Sequence, residues 1–230
     1  MSLSVPEDAR LEIKFVSYAS NLHSLLNWIH LHPFGFYSPF PVRQVNNVYF
    51  DGYNFISYTE NVSGASQRTK VRYRWYSASI EPSAGILEIK RKRNFFSWKL
   101  YHSVKNSPYK PEMTWSFIRK NIRNQISNEG RFWIDSNPFP ILLNRYSRMY
   151  FVSGDEKIRI TIDTNQAVYD QRFRSEPNFI SKANLPDILI VEIKFDRRDR
   201  EYASQSIQGI PLRVSRHSKY MTGVSAISGY

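Results

Sequence analysis

The sequence contains no cysteine among its 230 residues, which excludes disulfide bonds, thiol catalysis and cysteine-ligated zinc or iron. It also lacks any apolar run of roughly 18 residues, so a transmembrane helix is excluded. The first ten residues include acidic side chains where a signal peptide would need an apolar segment. These absences lead us to expect a cytoplasmic protein without direct membrane insertion.

Negative charge is scarce relative to positive charge. Lysine and arginine total 32 against 20 acidic residues, a formal net charge of +12. An excess of this size favours polyanionic partners. The chain shows no internal repeat, low-complexity tract or linker, so we predict a single domain spanning residues 1–230.

The positive charge is concentrated between Arg68 and Lys99, and four of the nine basic residues there lie on one predicted strand. Its cations recur at two-residue spacing and the intervening residues are mostly apolar, which is the pattern of a strand with one charged face. The alternating cations are Arg68, Lys70, Arg72 and Arg74. A solvated strand face is the ordinary interpretation of such a pattern. Surface faces normally mix signs, however, because like charges on one strand face repel one another.

A Glu-x-Lys pattern recurs in three further predicted strands, and in each of them the two charged residues share a face. These strands cover residues 11–15, 87–90 and 191–196. Additional strands are predicted at 45–51, 140–152 and 158–163, and amphipathic helices at 21–31 and 114–126. We also predict a long loop at 165–187 and a short helix at 199–207.

Strands with one apolar and one charged face can be arranged in two ways. The apolar faces can meet inside a sandwich, which leaves the charge in water. Alternatively, the sheet can form a barrel with a charged lumen and an apolar outer face covered by the helices. The pattern alone leaves both open. A charged lumen would suit phosphate, which lysine and arginine bind, and a divalent metal, which carboxylates bind.

A series of short motifs follows the same order as in a known family. They are VYFD at 48–51, VRYRWY at 71–76, LEIK at 87–90, YSR at 146–148, IRITIDT at 158–164, VEIK at 191–194 and SKY at 218–220. Together they cover nearly the whole chain, and the arginine-containing RYRWY segment is the most specific. In this order the segments resemble the catalytic domain of the vacuolar transporter chaperone (VTC) family, within the CYTH-like triphosphate tunnel metalloenzymes.

The resemblance implies an α+β fold in which an antiparallel β-barrel with a charged lumen forms the triphosphate tunnel and is flanked by helices. It implies an ATP-dependent polyphosphate polymerase, a transferase that uses Mn²⁺ or Mg²⁺. The residues expected to be catalytic are Lys14, Arg72, Arg74, Lys90, Arg148, Arg159 and Lys194. All of these would bind phosphate, together with Lys99, Ser218 and Lys219. The metal candidates are Glu192 first, then Glu88 and Glu12.

The sequence departs from the CYTH hydrolases at one position. CYTH hydrolases begin with a longer E-x-E-x-K motif, but the residue two before Glu12 is Arg10, which argues against the hydrolase branch. A hydrolase or a non-catalytic polyphosphate-binding module of the same fold stays open. A nucleic-acid binder ranks lowest, because nucleic-acid binding does not require interleaved Glu-x-Lys strands. The expected partners are therefore ATP and inorganic polyphosphate and not nucleic acid. A separate membrane or regulatory partner is left open.

Overall fold

The computed structural model describes residues 11–94 and 96–229. Eight strands are present in these residues: β1 (Leu11–Tyr18), β2 (Arg43–Asp51), β3 (Gln67–Tyr76), β4 (Gly85–Arg93), β5 (Phe96–Val104), β6 (Phe139–Val152), β7 (Ile158–Asp170) and β8 (Ile188–Phe195). The same residues contain six α-helices: α1 (Leu22–Leu31), α2 (Ile56–Val62), α3 (Trp115–Asn124), α4 (Asn128–Ser136), α5 (Arg200–Ser206) and α6 (Lys219–Ser228).

The eight strands of the described chain belong to one sheet, in the order β1-β8-β7-β6-β2-β3-β4-β5. The register is antiparallel in β1–β8, β7–β8, β2–β3, β3–β4 and β4–β5. A single antiparallel sheet with flanking helices confirms the predicted α+β class. It agrees with the barrel interpretation, whereas a sandwich would have needed two sheets.

The backbone contacts divide the chain into two compact units. Of the described residues, the first unit contains 11–43, 146–166 and 186–217. Its core consists of the apolar faces of its strands and of helix α1. The central residues of that core are Phe15, Leu25, Ile29, Ile158, Ile160, Ile162, Leu189, Val191 and Ile193. Because side chains alternate along a strand, the charged residues between these positions share the opposite face.

The second unit contains the described residues 44–145, 167–185 and 218–229. Helix α3 packs Trp115, Ile118 and Ile122 against the apolar faces of β2, β3 and β4, as spacings of three and four residues predict. Gly85 begins β4 at a close approach of two strands, since a Cβ there would lie within 3.1 Å of the Arg74 backbone. The hairpin formed by β3 and β4 carries three of the predicted phosphate-binding residues, Arg72, Arg74 and Lys90.

Most of the predicted elements are confirmed within a few residues. The predicted loop at 165–187 is wrong at its start, because β7 continues as a paired strand to Asp170. Strand β5 and helices α4 and α6 were not predicted. The single-domain prediction remains a prediction, and Arg10 lies outside the described residues. Each helix in the described part of the chain is too short or too polar to cross a lipid bilayer.

Candidate functional site

The first charged cluster lies in the second unit and is centred on the Glu88 carboxylate, which is 2% exposed. Arg72 Nη2 and Lys99 Nζ lie 2.5 and 2.8 Å from Glu88 Oε1, and Arg74 Nη1 lies 3.5 Å from Oε2. The register of β3, β4 and β5 places these four residues on one sheet face. With Lys99 protonated, three cations and one carboxylate give this Glu88 cluster a net charge of +2. A phosphate ligand would offset that charge.

The charge imbalance shifts the ionisation of both central groups. Burial opposes ionisation of Glu88, but the attraction of Arg72, Arg74 and Lys99 is stronger and holds the pKa of Glu88 well below its usual range. Burial, together with repulsion from the two arginines, outweighs the attraction of Glu88 and lowers the pKa of Lys99 to about 7. Lys99 is therefore the cation of this cluster that can lose its proton near neutral pH.

Strand β2 supplies neutral acceptors for the two arginines. Arg74 Nε donates to Asn47 Oδ1 at 2.8 Å, and Arg72 Nη1 donates to the Tyr49 hydroxyl at 3.1 Å. Asn47 and Tyr49 lie directly opposite these arginines in the β2–β3 register. Each guanidinium is thus held between an acceptor on β2 and the Glu88 carboxylate on β4.

The charged face of β3 and β4 extends beyond Glu88. Lys90 on β4 is the cross-strand neighbour of Lys70 on β3 and of Lys99 on β5. Lys70 Nζ donates to the Ser218 hydroxyl at 2.9 Å, and that hydroxyl also accepts from the Met221 amide as the N-cap of α6. The predicted phosphate ligand Ser218 therefore already has two protein partners.

The second charged cluster lies in the first unit, and we call it the Glu192 cluster. Lys14 Nζ lies 3.0 Å from Glu12 Oε1 and 2.9 Å from Glu192 Oε1. Lys194 Nζ lies 3.3 Å from Glu12 Oε2 and 2.6 Å from Glu192 Oε2. Burial lowers the pKa of Lys14, but the attraction of Glu192 and Glu12 exceeds this and raises it above its ordinary value. Two lysines and two carboxylates give this cluster a net charge of zero.

The remaining predicted cations of the first unit have different surroundings. Arg148 forms a two-bond ion pair with Asp163, at 2.5 Å from Nε to Oδ1 and 2.6 Å from Nη2 to Oδ2. Arg159 lies opposite Lys194 in the β7–β8 register. Arg159 and Lys194 line an open cavity of about 490 Å³. The other lining residues are Glu156, Lys157, Asp196, Arg198 and Asp199. Arg159 therefore has access to a ligand, whereas the Arg148 guanidinium is committed to a carboxylate.

Two carboxylates fit the expected divalent metal. No group of three or more metal-ligating side chains occurs in the ranges that the structure describes. Mg²⁺ and Mn²⁺ in phosphate-transfer sites, however, commonly take only one or two protein carboxylates, and the phosphates supply further oxygens. Glu12 and Glu192 provide such a pair. Thr161, 1% exposed and opposite Glu192 in register, has a hydroxyl without a hydrogen-bond partner among the described residues.

The structure brings the predicted site residues together in two groups. In the first group, Glu88 lies with Arg72, Arg74 and Lys99. In the second group, Glu12 and Glu192 lie with Lys14 and Lys194. The predicted metal ligands are thus divided between the two units, and their roles remain predictions. Sequence reasoning missed Asn47 and Tyr49. The register of β2 against the arginine strand is the signal that identifies them.

Comparisons with known proteins add the following findings. The family model of the VTC domain matches residues 9–228. The fold is similar to that of a candidate adenylate cyclase from Vibrio parahaemolyticus, with a TM-score of 0.51 and 11% identity, covering 93% of this chain and 96% of that chain. It is similar to that of a candidate adenylyl cyclase from Hippeastrum with a dominant triphosphatase activity, with a TM-score of 0.51, 14% identity and 96% of each chain covered. No curated protein matches the sequence.

Proposed function

Because the chain belongs to the VTC domain family, we propose that it is an ATP-dependent polyphosphate polymerase that acts in the cytoplasm. Its fold, that of the triphosphate tunnel group, agrees with this proposal. In the reaction, a terminal oxygen of the polyphosphate chain forms a bond to the γ-phosphorus of ATP. The bond from that phosphorus to the β–γ bridging oxygen breaks, ADP leaves, and the chain becomes one phosphate longer.

The observation that carries the proposal is the excess positive charge of the Glu88 cluster. Buried cations without equal negative charge are costly unless a ligand compensates them. Arg72 and Arg74 can donate several hydrogen bonds to the non-bridging oxygens of a phosphoryl group, and these bonds strengthen where charge develops in the transition state. The reaction needs no protein nucleophile, which agrees with a chain that contains no cysteine.

In the first unit, Glu12 and Glu192 would hold Mn²⁺ or Mg²⁺. When bound, the metal supplies positive charge to the phosphate oxygens of the donor. Lys14 and Lys194, which lie against both carboxylates, would bind further phosphate oxygens. Arg159, in the open cavity, would bind another phosphate group.

Hydrolysis is the second candidate function, because the Hippeastrum protein of similar fold has a dominant triphosphatase activity. The same cations would stabilise the same transferring phosphoryl group, and water would replace the polyphosphate chain as the acceptor. The two reactions therefore differ in the acceptor rather than in the charges that the described residues supply.

The test is incubation with ATP and Mn²⁺, with and without a short polyphosphate primer. We expect ADP and long polyphosphate chains on a gel, with little free phosphate and faster synthesis when the primer is present. Free phosphate equal to ADP without long chains would show a hydrolase instead. Binding of polyphosphate without any ADP would show a binding module.

A second measurement separates a polyphosphate site from a general basic surface. We expect polyphosphate to bind more tightly than double-stranded DNA of equal charge, because the excess positive charge of the Glu88 cluster is largely buried. Equal affinities with equal salt dependence would indicate binding to exposed cations alone.

A further inference from the structure

Two residues of β2 lie against the arginines of the Glu88 cluster, although neither was predicted as part of a site. Asn47 and Tyr49 are two residues apart, so both point to the charged face of the sheet. Asn47 accepts a hydrogen bond from Arg74 Nε at 2.8 Å, and Tyr49 accepts one from Arg72 Nη1 at 3.1 Å. An N-x-Y pair on β2 thus matches the R-x-R pair on β3, residue against residue.

The acceptors restrict the orientation of each guanidinium. Arg72 donates through Nη1 to Tyr49 and through Nη2 to Glu88, so its two terminal nitrogens are held from opposite neighbouring strands. A guanidinium recognises phosphate through a planar array of N–H groups, and its long side chain has considerable rotamer entropy. Fixing the plane before the ligand binds removes part of the entropy cost of binding.

Asn47 and Tyr49 orient the two guanidinium groups without neutralising their positive charge. Arg148 in the first unit shows the alternative, because its guanidinium is held by both oxygens of the Asp163 carboxylate. Its positive charge is thereby balanced within the protein. Arg72 and Arg74 instead share the single Glu88 carboxylate with Lys99. The amide and phenol oxygens complete their orientation without adding negative charge, so the excess positive charge stays available to an anionic ligand.

The Tyr49 hydroxyl is itself held in place by buried groups. The Tyr49 ring is 5% exposed and stacks on the Tyr220 ring, with centroids 5.1 Å apart and planes at 28°. The Tyr220 hydroxyl donates to Asp51 Oδ2 at 2.6 Å. Asp51 is fully buried and also accepts the backbone N–H groups of Gly52 and Ser57 before and within α2. The phenol cannot turn away from Arg72 without disturbing this packing.

We propose that Tyr49 and Asn47 are positioning residues that fix the guanidinium planes of Arg72 and Arg74 for phosphate while leaving their positive charge intact. This inference rests on the proposed function, since it assumes that the Glu88 cluster binds phosphate groups. It assigns a role to the tyrosine of the VYFD segment, while Asp51 of the same segment anchors the stacked partner Tyr220.

The test measures the affinity for inorganic tripolyphosphate by calorimetry in the full chain, without turnover. Tyr49→Phe keeps the ring and its stacking but removes the acceptor for Arg72 Nη1. We expect up to about 10-fold weaker binding, the cost of ordering one rotamer-rich side chain when the ligand binds. Tyr73→Phe is the matched control, because it removes a similar buried hydroxyl contact, to the Ser83 carbonyl, on the apolar face of β3. Its affinity should equal that of the wild type.

A double-mutant cycle separates positioning from a general structural effect. Lysine lacks the Nη1 donor, so in an Arg72→Lys background Tyr49→Phe should cause no further loss of affinity. The same cycle with Asn47→Ala and Arg74→Lys tests the second pair independently. An undiminished effect of Tyr49→Phe in the lysine background would overturn the inference.

The outcomes also distinguish this inference from the proposed function. A wild-type protein that does not bind tripolyphosphate contradicts the proposed function and, with it, the inference. A wild-type protein that binds, with unchanged affinity in Tyr49→Phe, contradicts the positioning role alone. Comparable melting temperatures of Tyr49→Phe and Tyr73→Phe would show that a selective loss of binding does not arise from unfolding.

Discussion

The Glu88 and Glu192 clusters are each centred on the glutamate of a Glu-x-Lys strand but differ in charge balance. In the Glu88 cluster, one carboxylate lies among three cations. In the Glu192 cluster, two carboxylates alternate with two lysines. The motif by itself therefore does not determine what a strand face binds.

The difference in charge balance arises from the strand that pairs with each Glu-x-Lys strand. Strand β8 pairs with β1, which carries a Glu-x-Lys of its own, and the antiparallel register sets each lysine opposite a glutamate. Strand β4 pairs with β3, which carries Arg72 opposite Glu88 and Arg74 two residues away. The first arrangement is electrically neutral, and in the proposed function its two carboxylates bind the metal. The second has an excess of cations, which in the proposed function bind phosphate.

Removing an arginine from the cation-rich cluster should have the largest effect. We expect Arg72→Ala to lower polyphosphate synthesis by about 1000-fold, because it removes a group aimed at charge that develops in the transition state. The melting temperature should hardly change, since Glu88 keeps Arg74 and Lys99 as partners. Arg123→Ala is the control, because Arg123 forms a surface ion pair with Asp135. A large loss of stability in Arg72→Ala would show that Arg72 is mainly a structural partner of Glu88.

Charge removal in the neutral cluster should affect the metal instead. Glu192→Gln keeps the shape of the side chain, and we expect Mn²⁺ affinity to fall by roughly two orders of magnitude, because affinity depends on ligand charge. Titration of free Mn²⁺ by electron paramagnetic resonance measures this in the presence of tripolyphosphate. Glu88→Gln should leave the Mn²⁺ affinity near the wild-type value. If the two variants lose Mn²⁺ affinity equally, the division of roles between the clusters is wrong.

The pH dependence of stability should also distinguish the clusters. The pKa of Lys99 is about 7 in the folded protein, whereas that of an unperturbed lysine, as in the unfolded chain, is 10.5. Between these values the unfolded chain binds more protons, so the free energy of unfolding of the ligand-free protein should rise with pH above 7. The slope for one such group is at most about 1.4 kcal/mol per pH unit. Urea unfolding at pH 7, 8 and 9 measures it.

Lys99→Met should remove this slope, because methionine has similar length and no charge to lose. Lys120→Met, at an exposed position of α3, is the control and should keep it. A slope that persists in Lys99→Met would assign the titration to a group other than Lys99.

The fold could largely be predicted from period-two patterns, because burial of one strand face leaves a strong signal at alternate residues. Strands β3 and β8 show this most clearly, with Val71, Tyr73 and Trp75 or Val191 and Ile193 in the cores. Strand β5 also carries a period-two signal, with Phe96, Trp98 and Leu100 on one face, and could have been predicted from it. Helix α6 was missed because it follows a basic segment and buries only two apolar side chains, Tyr220 and Val224, beside a glycine.

The charged residues that gather in the two clusters could be identified from the sequence, but not their division into two clusters. Sequence motifs identify which residues carry charge, whereas the balance of charge depends on strand register. Tyr49 and Asp163 show this limit, because each acquires its role only from an arginine on a neighbouring strand. Neutral acceptors such as Asn47 leave no charge pattern in the sequence at all.

The smallest expected effect concerns Thr161, whose buried hydroxyl faces the Glu192 cluster without a hydrogen-bond partner among the described residues. Leaving a buried hydroxyl unsatisfied destabilises a protein by about 1–3 kcal/mol, so Thr161→Val should raise the free energy of unfolding of the ligand-free protein by about 1 kcal/mol. Thr161→Ser keeps the hydroxyl and loses a buried methyl group, so it should be less stable than the wild type. If the hydroxyl contacts a bound metal or phosphate, Thr161→Val should also bind Mn²⁺ with tripolyphosphate more weakly. Stability would then rise while the affinity for the ligand falls. A valine variant that is less stable than the wild type would instead show that the hydroxyl has a structural partner such as a buried water, and the neutral cluster would then be complete without a ligand.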